Sequence, residues 1–195
     1  MQGYVYVYSG KGYGRTLVAI GHGLRCAGSG LKVYMIRFVD GNIYSELNAV
    51  INIPNFEIAR FGRENFRGKE TLQEIDFKLA RQGLEHAKET ISSGKYDVVI
   101  LDEITTAIDF KLIALEEILK LINSRESTEL VLTGRFSVPQ IVKIADFAVE
   151  LIDMKHPCDR ELLAKVGIDY HRYMKNLGYS DDEIVSIEEQ ERDVK

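Results

Sequence analysis

The run Tyr96–Leu101 is almost purely apolar and stops abruptly at Asp102-Glu103. A stretch that short and that uninterrupted suits a strand covered on both faces, as in the middle of a parallel sheet. Parallel neighbours are joined by long crossovers, usually helical, so strands and helices are expected to alternate on either side of it. Tyr4–Tyr8 alternates β-branched and aromatic residues and runs into Ser9-Gly10. From Thr16 the pattern changes to Leu17, Val18, Ala19, Ile20, Leu24, Cys26 and Ala27, a helix closed by Gly28 and Gly30. Lys32–Val39 reads as the second strand, Ser45–Val50 as a short helix and Glu57–Phe61 as the third strand. Glu70–Ser93 carries Leu72, Ile75, Leu79, Leu84, Ala87 and Ile91 near the helical period, and Gly94 suits the left-handed residue after its end. Leu112–Ile122 is a further amphipathic helix, Glu129–Thr133 a fifth strand, Pro139–Ala145 a short helix and Phe147–Ile152 a sixth strand. This order predicts an α/β fold around a mostly parallel sheet of about six strands with right-handed crossovers.

The length of 195 residues fits one domain with a substantial core, and 45% hydrophobic residues exclude wholesale disorder. Lys and Arg number 25 against 30 Asp and Glu, a net charge of −5, which argues against nucleic acid as the partner. No apolar run approaches the roughly 18 residues of a membrane span, so no membrane partner is expected. Met1–Tyr4 leads straight into the first strand without a basic leader, and a cytoplasmic location is the expectation. Cys26 and Cys158 lie far apart, form no CxxC or Cys/His metal pattern, and read as reduced thiols. Composition shifts beyond Tyr170, so 1–170 is expected to be one α/β domain and 171–195 an acidic C-terminal extension.

The segment Ser9-Gly10-Lys11-Gly12-Tyr13-Gly14-Arg15-Thr16 joins the first strand to the first helix. A loop that cradles phosphate needs glycines to bend tightly and aim several N–H groups at one anion, and the helix that follows adds donors and a favourable dipole. It also uses a cation for the outer phosphates and a hydroxyl for Mg²⁺, roles that fall to Arg15 and Thr16. Against G-x-x-x-x-G-K-[ST], Gly14 and Thr16 fit, while Ser9 replaces the first glycine and Arg15 the lysine. Lys11 adds a second positive charge. A dinucleotide G-x-G-x-x-G fits worse, because Arg15 stands where its last glycine belongs; a tight turn without ligand is the plainer alternative. Asp102-Glu103 supplies the complementary half: a carboxylate at the carboxyl end of a buried strand beside the loop strand can hold Mg²⁺ directly or through water. A solvated strand end is its plainer reading.

Taken together, Tyr8–Thr16, Gly21 and Arg25, Phe38 and Gly41, Glu46, Phe66, Val99–Ile104, Leu115-Glu116-Glu117, Leu132-Thr133-Gly134-Arg135, Lys155-His156-Pro157 and Gly167–Tyr170 resemble the P-loop ATP:corrinoid adenosyltransferases. The resemblance implies a RecA-like P-loop three-layer sandwich, usually a homodimer. It implies transfer of the 5′-deoxyadenosyl group of ATP to the reduced cobalt of a corrinoid with release of triphosphate, and a reductase supplying electrons to cobalt as a further partner. By position in the family pattern, Gly10, Lys11, Gly12, Tyr13, Gly14, Arg15, Thr16, Arg25 and Arg135 would meet the nucleotide. Lys11 and Arg15 would support catalysis, and Thr16, Asp102 and Glu103 would hold Mg²⁺. Phe66 lies in a loop whose phenylalanine–tryptophan pair packs near the corrinoid's lower face in the resembling family. Here Gly68 stands where the tryptophan is expected and Leu17 replaces a second threonine. Two other readings stay open: a nucleotide- or corrinoid-binding relative without turnover, and a phosphohydrolase or kinase in which Glu103 polarises water.

Overall fold

A computed structural model describes residues 2–12, 14–41, 45–64, 66 and 68–155. Residues 1–42 and 46–154 group into one compact unit, and the second grouping, 43–45 with 155–195, falls almost wholly outside the described residues. The same holds for the boundary at Tyr170, the acidic extension, Cys158, His156-Pro157 and Gly167–Tyr170.

Among the described residues six strands and six helices follow in the order β1 Val5–Ser9, α1 Arg15–Gly28, β2 Val33–Asp40, α2 Ser45–Val50, β3 Phe56–Arg63, α3 Glu74–Ser92, β4 Val98–Asp102, α4 Ile104–Asp109, α5 Leu115–Asn123, β5 Glu129–Gly134, α6 Pro139–Ile144 and β6 Phe147–Glu150. The strands form one sheet in the order β3-β2-β4-β5-β1-β6, with every neighbouring pair parallel.

The two-residue period of a strand divides its side chains between the two faces, and two cores result. Val5, Val7, Ile36, Phe38, Val99, Leu101, Leu130 and Leu132 pack on one face with Leu84 and Ala87 of α3 and Ile118 and Ile122 of α5. Val33, Met35, Val98, Ile100 and Val131 pack on the other with Ala19 and Ile20 of α1 and Leu47 and Val50 of α2. The protein is therefore a three-layer α/β sandwich, and the fully buried β4 is the covered strand that its apolar run predicts.

Three details differ from the sequence-based expectation. Strand β4 does not lie beside the loop strand, since β5 sits between β4 and β1. Apolar periodicity identifies a strand but not its neighbours, and Leu130, Val131 and Leu132, all fully enclosed, call for a strand on each side of β5. The third helix starts at Glu74 rather than Glu70. A 3₁₀ turn over Lys69–Thr71 precedes it, and the Gln73 N–H donates to Asp76 Oδ2 at 2.8 Å to open the helix. A helix unassigned in sequence, α4, follows the acidic pair directly, with Glu103 at φ 59° as its N-cap. Gly94 is left-handed at φ 60°, as expected.

Because all strands run one way, their carboxyl ends meet along a single edge. There Ser9, Asp40, Arg63, Asp102, Gly134 and Glu150 end their strands, and open α/β sheets bind ligands along such an edge.

Candidate functional site

Strand β1 delivers the chain into the glycine loop, and Gly14, at φ 92°, turns it into α1. No side chain caps this helix and its first turn holds no acidic residue. The N–H groups of that turn have no intrahelical acceptor, so together with the helix dipole they favour an anion.

The loop is also pressed against the chain leaving β6. Gly10 has φ 120°, and a Cβ there would lie 2.3 Å from the Leu151 carbonyl oxygen; one at Gly12 would lie 2.8 Å from the same atom. The Gly12 N–H donates to that oxygen at 3.0 Å. Two of the glycines are thus required by close backbone passage as well as by any ligand. The Gly12 amide is engaged with Leu151 rather than directed at a phosphate position.

Arg15 folds back across the loop. Its Nη1 donates to the carbonyls of Gly10 at 2.9 Å and Gly12 at 2.6 Å, while Nη2 reaches Glu103 Oε1 at 3.2 Å. The ion pair is largely screened from water, with each side chain only 14% exposed. One planar guanidinium therefore ties the loop to the end of β4, a three-way contact that suits its fixed fork of donors.

The acidic pair divides its work. Asp102 is completely buried, which excludes the solvated strand end. Its Oδ1 accepts hydrogen bonds from Thr16 Oγ1 at 3.0 Å and Thr133 Oγ1 at 2.7 Å. Its Oδ2 faces Arg37 Nε at 3.6 Å. Burial raises the Asp102 pKa from its ordinary value, with the neighbouring Glu103 acting the same way; Arg37 and the two threonine hydroxyls act against it. Glu103 accepts from Arg15 and, through Oε2, from Thr106 Oγ1 in a short contact. Its own N–H donates to Thr133 Oγ1 at 2.8 Å, so one threonine fixes both members of the pair.

Among the remaining sequence-predicted residues, Arg135 follows β5 directly, is exposed, and donates its N–H to Thr106 Oγ1 at 2.9 Å. That position is close to the loop, because Gly134 is in register with Ser9. Lys11 is exposed on the loop. Tyr13 lies outside the described residues. Arg25 is exposed in the last turn of α1, ten residues beyond Arg15 and so about 15 Å further along the axis; the structure does not bring it to the loop. Phe66 follows β3 and packs on Phe110, with ring centroids 6.0 Å apart, under the Arg63 guanidinium at 5.9 Å. Strand β3 is four steps from β1, roughly 19 Å at about 4.8 Å per strand, so Phe66 belongs to the far part of the same edge. Gly68 has φ 126°, a conformation that disfavours any side chain. Phe56 is buried in the core on the α1 face, Phe61 packs against His86, and Phe77 is exposed on α3.

Arg37, whose Nε faces Asp102 Oδ2, is a residue that motif reading passes over. It is the one charge of its strand before the terminal Asp40, and a charge in mid-strand is the signal that marks it.

A glycine loop opening a helix, faced across one strand by a buried aspartate that takes a hydroxyl from the helix's first turn, places the site of this three-layer α/β protein at the carboxyl edge of its parallel sheet. The sequence profile of the ATP:corrinoid adenosyltransferase BtuR/CobO/CobP family matches residues 1–170, and the chain belongs to this family. It is 29% identical over 170 residues to the corrinoid adenosyltransferase of Escherichia coli K12, covering 87% of this chain and 86% of that protein. It is 28% identical over 170 residues to the corrinoid adenosyltransferase CobA of Salmonella typhimurium, with the same coverage of both. An uncharacterized protein of Nostoc, all2391, is 32% identical over 186 residues; the match takes in 88% of this chain but spans only about half, 49%, of the Nostoc protein.

Proposed function

We propose that the protein transfers the 5′-deoxyadenosyl group of ATP to the reduced cobalt of a corrinoid and releases triphosphate. Family membership supports the reading, and the observation that carries it to this chain is the contact between Thr16 and Asp102. That hydrogen bond joins the helix end that would receive phosphate to the carboxylate that would order its counter-ion.

In the proposed step Co(I) attacks C5′ of ATP. A Co–C bond forms with the cobalt electron pair, cobalt passes formally from +1 to +3, and the C5′–O bond breaks with its electron pair leaving on triphosphate. No proton need be removed from the nucleophile, so a catalytic base is not required. The chain has two tasks: to hold C5′ in line with cobalt, and to stabilise charge on the departing triphosphate. Arg15 exchanges the carbonyls of Gly10 and Gly12 and its Glu103 partner for phosphate oxygens. The N–H groups at the start of α1 and the charges of Lys11 and Arg135 act on the same group. Gly10 and Gly14, both at positive φ, bend the loop around it. Phe66 is assigned to the corrinoid side of the edge.

Mg²⁺, when bound, supplies further positive charge against the triphosphate. Among the described residues no cluster of three or more His, Cys, Asp or Glu forms an all-protein cage. Mg²⁺ is usually held by one or two protein oxygens together with phosphates and waters, so this donor set fits it. Thr16 would be the direct ligand, with Asp102 behind it and Glu103 beside it. A homodimer, a reductase for cobalt and a cytoplasmic setting belong to the same proposal; among the described residues no helix is long and apolar enough to cross a membrane.

The test is to mix purified protein, MgATP and chemically reduced corrinoid. The Co(I) absorption is expected to give way to that of an alkylcobalt with one triphosphate released per turnover. Release of orthophosphate would assign hydrolysis instead, and an unchanged Co(I) spectrum would overturn the reading.

A further inference from the structure

We propose that Arg37 is a positioning residue for the triphosphate site, holding Asp102 so that one carboxylate oxygen is committed to the Thr16 hydroxyl. The inference rests on the nucleotide-binding reading above and adds to it a residue on β2, which two strands separate from the loop strand β1.

Strand alternation puts Met35 of β2, Ile100 of β4 and Val131 of β5 in the core on the α1 face. Two residues further along each strand, Arg37, Asp102 and Thr133 continue the same face toward the carboxyl edge. Arg37 and Asp102 are paired in register across β2 and β4. Arg37 is 5% exposed and Asp102 not at all. The guanidinium sits between two carboxylates, Nε 3.6 Å from Asp102 Oδ2 and Nη2 3.6 Å from Asp40 Oδ2.

Oδ2 faces the Arg37 charge and accepts no hydroxyl, while both Thr16 and Thr133 donate to Oδ1. A threonine hydroxyl has a single proton. Once Thr16 gives it to Asp102, its lone pairs are free for a cation or an ordered water. Thr133, whose proton is committed in the same way, accepts the Glu103 N–H. The Arg37 charge thus fixes the donor direction of Thr16 and the placement of Glu103 through one carboxylate. Core packing does not ask for an arginine here, since apolar residues of similar volume in place of a buried ion pair are often neutral or stabilising. Asp102, wholly enclosed, then acts on the metal through Thr16 and not as a direct ligand.

The experiment is calorimetric titration of the full chain with ATP, once with Mg²⁺ and once with a chelator, the ratio of the two affinities measuring metal coupling. Arg37→Met is expected to lower that ratio about tenfold, the usual scale for residues behind a metal ligand, while metal-free ATP affinity stays near wild type. Arg37→Lys, which keeps the charge, is expected to recover part of the coupling. A merely structural residue would instead weaken both titrations alike and leave their ratio unchanged, which overturns the proposal. If Arg37→Met does not fold, Arg37→Gln, which keeps a polar side-chain end between Asp40 and Asp102 but no charge, takes its place and is expected to show the same loss. Should that variant also fail to fold, or keep wild-type coupling, the proposal fails. A wild-type chain that binds ATP in neither buffer removes the nucleotide site itself and this inference with it. Normal binding with unchanged coupling in the variants removes the inference alone.

Discussion

Thr16 and Asp102, 86 residues apart in sequence, meet through a hydrogen bond of 3.0 Å from the threonine hydroxyl to Oδ1. Replacing Thr16 by valine keeps the shape but takes one donor from a buried carboxylate. Asp102 Oδ1 keeps its bond from Thr133, and losing one hydrogen bond to a charged group costs roughly 1.5–3 kcal/mol, so a lower melting temperature is expected. The larger effect is on function: the Mg²⁺ concentration giving half-maximal activity rises about tenfold or more. Thr16→Ser, which restores the hydroxyl, is expected to recover most of both. A metal titration of activity beside a thermal melt checks this, and equal behaviour of the valine and serine variants would count against it.

Arg15 holds two loop carbonyls and Glu103 at once. Arg15→Ala is expected to lower turnover about a hundredfold, the scale of losing a charge-stabilising donor at a leaving group, and to weaken binding of inorganic triphosphate. Arg15→Lys keeps a point charge but lacks the fork that spans these partners, so it should fall between alanine and wild type. Inhibition by triphosphate, measured beside kcat, separates lost binding from misfolding.

Much of this arrangement can be read from the chain alone, since it depends on local pattern. The apolar run before Asp102, the helix from Arg15 to Gly28 and the left-handed Gly94 follow from period and turn chemistry, and the structure has each of them. What pattern does not carry is the order of strands. The insertion of β5 between β4 and β1 depends on which apolar faces match, a long-range matter with no local signature. Gly10 and Gly12 look like ligand glycines in sequence, yet half of their reason is the backbone at Leu151, some 140 residues away. Arg37 escapes motif reading because nothing beside it in sequence is acidic until Asp40; its main partner arrives from another strand.

Gly10→Ala tests that second reason for the loop glycines. The new methyl would meet the Leu151 carbonyl oxygen at 2.3 Å, in a backbone conformation at φ 120° that side chains avoid. Strain at such positions is of the order of 1–3 kcal/mol, and the clash adds to it. Urea unfolding is expected to show a lower midpoint even without nucleotide. A loss of ATP affinity with unchanged stability would mean that the glycine serves the ligand only.

His22 gives the stability of the protein a pH dependence that is separable from the site. Its ring packs edge-on against Tyr6 at 4.7 Å, and its Nδ1 shares a 3.2 Å hydrogen bond with the Tyr8 hydroxyl whose direction follows the ring's tautomer. Burial lowers the His22 pKa below its ordinary 6.5, and the Arg25 charge lowers it further. The folded chain therefore takes up this proton at lower pH than the unfolded chain. Between the ordinary value and the depressed one the unfolded state holds more protons, so stability falls as pH falls through that window and is insensitive to His22 above it. In the folded state a protonated ring donates from Nδ1 to the Tyr8 hydroxyl oxygen. The urea midpoint is expected to drop from pH 7 to pH 5 in the wild type and to drop less in His22→Gln, which cannot titrate. The difference between the two chains isolates His22 from the carboxylates that titrate lower. Parallel curves over that range would show that the histidine is as accessible to protons in the folded protein as in the unfolded one.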